Sequence, residues 1–295
     1  MAPSVASIGR RMGGSMYLAK FFHRPPGNDD RELLLILESG GDPHILMGFM
    51  MGGPGEPQMQ REFTAARDAV AALRRAAEEL RLEGYVETAH TQYQLRALPP
   101  HPKAKPAWQQ GLDELLLCAI IEDGATQSAL VAKLAATPAA QEPLYLWLAA
   151  RHEFATAPKG HARALARAEN ARDTLGARRA SKTPPYLWSL RPLKVEAFIH
   201  DLLCEIHFAA GRSQAALDEA QHAQEADGNP YRGGRIAWIL AHCFPAREEE
   251  AFDQAARYAG LGGYEAVRAL PAYAAYVGRR AFAAAKGPRA SRTRS

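Results

Sequence analysis

The sequence predicts an α+β domain followed by an all-α domain. Three observations carry this prediction. Short apolar runs bounded by turn residues fill positions 17–63, which is the pattern of buried strands. Segments of helical composition, each stopped by Gly or Pro, fill positions 108–286. Between the two stands Pro99-Pro100-His101-Pro102-Lys103-Ala104-Lys105-Pro106, a proline- and lysine-rich stretch expected to be an extended, semi-rigid linker. The expected organisation is a disordered leader (1–16), an α+β domain (17–98), the linker (99–107), a helical domain (108–286) and a basic disordered tail (287–295).

In the first domain, Tyr17–Phe22 reads as a strand and Pro25–Asp30 as a turn. Glu32–Glu38 holds Leu33-Leu34-Leu35-Ile36-Leu37 and ends at Gly40-Gly41, so it reads as a buried strand. His44–Met51 is a third strand, broken by Gly52-Gly53-Pro54-Gly55, and Gln58–Phe63 a fourth. Thr64 is placed to cap a helix over Ala65–Leu82, whose Val70, Leu73, Ala77 and Leu80 form one apolar stripe. Gly84 stops that helix. Tyr85–Glu87 and Tyr93–Leu95 close the domain as extended segments.

The second domain reads as helices over 109–123, 126–136, 143–155, 161–179, 187–210, 213–226, 231–244, 248–259 and 264–285. Pro192 predicts a late start or a kink in the fifth. Short connections imply antiparallel neighbours in a bundle or solenoid.

Composition bounds the function. Of 295 residues 47% are hydrophobic, enough for a core, and 23% are charged. No apolar run approaches the roughly 20 residues of a membrane span, and the first 15 residues lack a secretory apolar region, so a cytoplasmic protein is expected. Three cysteines, Cys118, Cys204 and Cys243, give no disulfide framework. The net charge of +4 lies in the leader, linker and tail: residues 17–98 carry 9 Lys/Arg against 12 Asp/Glu, and residues 108–286 carry 20 of each sign. A nucleic-acid module concentrates positive charge on its folded part, so that partner class is disfavoured.

Gly52–Gln58, the strand end Glu62-Phe63, the helix Asp68–Arg81 and the exit Gly84-Tyr85-Val86-Glu87 together resemble the WGR domain family. The resemblance implies an antiparallel sheet with one long helix. In nucleic-acid-binding members it implies a Trp that stacks on sugar or base and an Arg that meets phosphate. Here Met47-Gly48-Phe49 stands at the Trp-Gly-Arg position. Met47 offers no flat π-face and Phe49 no guanidinium. Met47 and Phe49 are therefore expected to pack or to form an apolar contact for a protein, and Gly48 to serve backbone geometry.

Residues 197–230 resemble a tetratricopeptide repeat, with Leu203, Cys204, His207 and Phe208 on the first helix, Gly211 at the turn and Ala216, Leu217, Ala220 and Ala223 on the second. The resemblance implies a partner protein held along a concave helical face.

Other constellations are weaker. His200, Cys204 and His207 share one helix face and form a metal candidate, with His242 or Cys243 as a fourth ligand. The competing reading is simple packing. Arg163, Arg167 and Arg172, with Arg178-Arg179 and Lys182, form the most basic folded stretch, read as a solvated face or as a contact for nucleic acid or an acidic peptide. No Walker loop, Gly-x-Ser-x-Gly or His-Glu-x-x-His motif occurs. No cofactor is expected. The leading expectation is a non-enzymatic, bacterial-type adaptor or regulator with a protein partner. A nucleic-acid-associated regulator and a metalloprotein or enzyme at the His/Cys cluster are the alternatives.

Overall fold

Five strands, β1 (Met16–His23), β2 (Glu32–Ser39), β3 (His44–Met50), β4 (Met59–Phe63) and β5 (Val86–Thr88), form one antiparallel sheet in the spatial order β4-β3-β2-β1-β5. The structure, a computed structural model, describes residues 16–23, 32–39, 43–50, 56–88, 104–156, 161–181 and 193–285. The leader before Met16, the turns at Pro25–Asp30 and Gly52–Gly55, the Tyr93–Leu95 segment, most of the proline stretch and the tail lie outside the described residues.

Successive strand residues point to opposite faces, and the register lines them up. Leu18, Leu37 and Leu46 form one cross-strand row, and Lys20 and Leu35 lie on the same face. Helix α1 (Ala66–Leu82) covers this face on its way from β4 to the far edge strand β5. The predicted stripe does the covering: Val70, Leu73 and Ala77 are buried and Leu80 packs beside them. The cap is not Thr64. Helix α1 opens at Ala66, with Ala65 (φ −115, ψ 130) in the cap position and no side-chain cap bond. At the other end Gly84 adopts φ +88, which lets Tyr85 N–H reach the Leu80 carbonyl at 2.9 Å and close the helix.

The helical half comprises α2 (Ala107–Ile120), α3 (Gly124–Leu134), a 3₁₀ turn (Pro138–Gln141), α4 (Pro143–Thr156), α5 (His161–Ala180), α6 (Leu193–Ala209), α7 (Ser213–Asp227), α8 (Pro230–Cys243), α9 (Glu248–Arg257), the short α10 (Glu265–Arg268) and α11 (Pro271–Ala285). From α3 onward each helix packs on its predecessor, and α2–α4, α4–α6, α8–α10 and α9–α11 also touch. Helix α6 is described from Leu193, and residues 187–192 of the expected helix lie outside the described residues. The segment 264–285 divides because Pro271 has no N–H to continue the preceding turn and opens α11 instead.

The interior runs in two large clusters that meet at α6, beside a smaller one of Ala19, Phe21, Leu34 and Ile36 on the other face of the sheet. One extends from the sheet (Leu18, Phe22, Leu37) through α2, α4 and α5 to Phe198, Leu202 and Ile206. The other starts at Cys204 on the same helix and continues through α7, α8 and α9 to Tyr264 and Tyr276. The second cluster depends on one close approach. A Cβ on Gly234 would lie 2.4 Å from the backbone carbon of Gly263, and a Cβ on Gly233 would overlap the Tyr264 hydroxyl.

Candidate functional site

The triplet Met47-Gly48-Phe49 lies on β3 in mid-sheet. Met47 pairs with Ile36, Phe49 with Leu34 and Gly48 with Leu35. Met47 and Phe49 therefore project to the face opposite α1, where they pack half-buried on Ala19, Phe21, Leu34 and Ile36. Gly48 does not serve special backbone geometry. It does not have positive φ, and an added Cβ would meet Leu35 and Met59 only at an ordinary 3.5 Å. The packing expectation thus accounts for Met47 and Phe49, and the expectation for Gly48 is corrected.

Arg163 and Arg167 lie one turn apart on α5 and converge on one carboxylate oxygen of α4: Glu153 Oε1 stands 3.1 Å from Arg163 and 3.2 Å from Arg167. Two guanidinium charges thus share one carboxylate. They line an open groove of about 440 Å³ whose apolar surface comes from Ala135, Ala140, Tyr145, Leu146 and Ala166. Asn170 adds an amide, and the Tyr145 hydroxyl donates to the Val131 carbonyl at 2.9 Å. The other described arginines of the basic run are ion-paired and in part exposed, and Lys182 lies outside the described residues. Arg172 bonds Asp173 and approaches Glu219; Arg178 bonds Glu142; Arg179 forms two bonds to Glu196. Those arginines hold α5 to its neighbours.

His200, Cys204 and His207 do share a helix, α6, but are not brought together as a ligand set. Cys204 is fully buried in the second cluster, where burial pushes its thiol up to about 12. His207 is half-buried; burial, then the Arg212 charge, holds its ring below the usual histidine value. Nor do the proposed fourth ligands join them. The His242 ring stacks on Trp238 with centroids 3.9 Å apart, and its Nδ1 bonds the Trp238 carbonyl at 2.9 Å. Cys243 packs against the second cluster.

His200 has different neighbours, Glu219 and His222 of α7. His200 Nδ1 stands 2.5 Å from Glu219 Oε2, and the two imidazole centroids are 5.3 Å apart. Sequence reasoning missed both residues. The signal was present: Glu219 and His222 are three apart, which puts them on one turn of one face. A Ser–His pair was also missed. Ser128 Oγ lies 2.8 Å from His152 Nε2 but donates its proton to the Gly124 carbonyl, so it clips α3 to α4.

Two buried ionic networks complete the inventory. Lys20 (β1), Glu87 (β5), Lys105 and Asp113 (α2) are each at most 5% exposed. Lys20 Nζ lies 3.1 Å from Glu87 Oε1 and 3.3 Å from Asp113 Oδ2; Lys105 bonds the same two carboxylates, and Arg81 meets Glu87 Oε2 at 2.7 Å. Burial pushes the Glu87 carboxyl up, but the charges of Lys105 and Lys20, with hydrogen bonds from Lys20 and Arg81, outweigh it and bring the group down to about 2. The second network joins Arg232 and Arg235 of α8 to Asp201 and Glu205 of α6 and Asp227 of α7.

No helix among the described residues is long and apolar enough to cross a membrane. No family model matches the chain, no curated protein matches it, and no solved structure matches its fold.

Proposed function

We propose that this chain is a non-enzymatic, cytoplasmic interaction adaptor whose helical half holds an acidic segment of a protein partner. The observation that carries the reading is the Arg163/Arg167 groove. Its volume falls in the range of roughly 300–1,000 Å³ typical of binding pockets, and its lining is mostly apolar with a few convergent polar groups. One carboxylate, Glu153, serves two guanidinium groups there, which leaves positive charge to meet an acidic side chain. The order of the helices, each on the last and several on the next but one, supports a repeat-like stack of the tetratricopeptide kind.

In this reading the sheet module is a WGR-like scaffold turned to structural use. Met47 and Phe49 supply apolar packing where a nucleic-acid binder presents a stacking ring and a guanidinium. The long basic run of α5 is committed to ion pairs with Glu142, Glu196 and Glu219, which weakens the case for a polyanion surface.

The test is capture from native lysate, with and without nuclease, comparing wild type with an Arg163→Glu/Arg167→Gln variant. The reading expects a discrete protein that survives nuclease and is lost with the variant. Capture abolished by nuclease, or unchanged in the variant, overturns it.

A further inference from the structure

We propose that His200, Glu219 and His222 form a binding site for a divalent transition-metal ion of the zinc class, clamping α6 to α7. Their potential ligand atoms, two imidazole nitrogens and a carboxylate oxygen, all lie within 4.8 Å of one another. They come from two helices that pack directly together. Glu219 and His222 are adjacent on one turn of α7, and His200 faces them from α6.

The donor set selects the class of ion. Two imidazoles and one carboxylate suit zinc and its late first-row neighbours, whereas magnesium and calcium take oxygen donors. Donors around a tetrahedral zinc sit about 2.0–2.2 Å from the metal, hence roughly 3.4 Å from each other. The His200–Glu219 pair is already inside that spacing at 2.5 Å and opens by a small side-chain rotation. The remaining contraction falls on His222. That residue is exposed, so it moves at little cost in packing and gives the ion a route from solvent. A water completes the fourth position, as in sites with three protein ligands.

Burial makes the pair more than a surface accident. His200 and Glu219 are 9% and 8% exposed, so their ring and carboxylate are held by the packing of both helices. The neighbouring cation is disposable. Arg172 lies 3.5 Å from Glu219 Oε1 but also bonds Asp173 at 3.2 Å and is 40% exposed at its side chain. It keeps one carboxylate when the other turns to the metal. A bound ion then replaces one hydrogen bond between α6 and α7 with ligand bonds from both, so binding stabilises the folded chain.

The experiment uses tag-free, chelator-stripped full-length chain and zinc ion alone. Zinc is titrated in competition with a chromophoric chelator, and thermal unfolding is followed with and without zinc. The expected result is one zinc per chain, a higher Tm with zinc, and binding at least tenfold weaker in His222→Gln with the Tm rise abolished. His222→Gln is a surface change that leaves the buried pair intact, and Cys243→Ser is expected to bind as wild type does. Substoichiometric binding by wild type overturns the proposal. So does stoichiometric binding that persists in both His222→Gln and Glu219→Gln, or that disappears in Cys243→Ser.

Discussion

Lys20 on strand β1 and Asp113 on helix α2 meet at 3.3 Å in the interior, 93 positions apart in the chain. Around them Glu87 and Lys105 complete a four-charge cluster, and the Lys105 N–H donates to the Glu87 carbonyl at 2.9 Å. The sheet and the helical stack are joined there by ions as well as by the apolar cluster that runs from Leu18 to Ile206. The four charges are desolvated together, so none is cheaply removed alone.

Asp113→Ala leaves two buried ammonium groups against one carboxylate of the cluster. Breaking a buried pair from one side costs about 3–5 kcal/mol, and that loss is expected in urea unfolding followed by circular dichroism. Replacement of surface-exposed Glu79 by Ala is the control and is expected to change stability by no more than about 0.5 kcal/mol.

Acid destabilises through Glu87. Its folded pKa of about 2 lies below the ordinary 4.5, so the stability it contributes is fully present above pH 4.5 and is lost as pH falls toward 2. The difference corresponds to about 3 kcal/mol at most. Lys20 works in the opposite direction. Burial pushes its ammonium down, but Asp113 and Glu87 outweigh this and hold it above 10.5, so its contribution is present below 10.5 and fades as pH rises beyond that. Glu87→Gln is expected to be less stable than wild type at neutral pH, with the gap narrowing between pH 4.5 and 2. A gap that stays constant over that window contradicts the assignment.

Glycines separate close approach from dispensable freedom. Gly234→Ala forces a Cβ to within 2.6 Å of three Gly263 backbone atoms, which cannot move as a side chain could, and is expected to cost about 3 kcal/mol or more. Gly176→Ala on α5 meets nothing within 4 Å and is expected to gain about 0.5–1 kcal/mol from helix propensity. Thermal unfolding of the two variants checks both signs.

The thiols differ in access. Cys118 and Cys204 are buried, and burial pushes both thiols above their ordinary value, Cys204 to about 12. Cys243 is only partly buried. A disulfide reagent at pH 8 is expected to modify Cys243 first, with Cys118 and Cys204 reacting at the rate of unfolding and all three exposed in denaturant.

Apolar periodicity and Gly/Pro punctuation were enough to place the strands and most helices, because those signals are local. The stripe on α1 and the stop at Gly84 are examples. Lys105 shows the limit. In a proline-rich stretch it reads as a solvated linker lysine, yet it is buried, because its partners Glu87 and Asp113 lie in different elements. His200 shows the same limit at the candidate metal site. Its own helix suggested Cys204 and His207, which share its face by spacing, but Cys204 packs into the second cluster and the partners within reach of His200 are on α7. Arg163 and Arg167 were legible as a shared face; that Glu153 would stand between them was not, since it belongs to α4.

The most direct measurement is site-specific photo-crosslinking from the groove. A benzoylphenylalanine replacing Ala166, an exposed residue of the groove lining, is irradiated in native lysate beside a control probe at exposed Ala275 on α11. The adaptor reading predicts a discrete protein adduct from position 166 that resists nuclease, is absent from position 275 and disappears when Arg163→Glu is added. Adducts only to nucleic acid, or none from position 166 in folded protein, would contradict it.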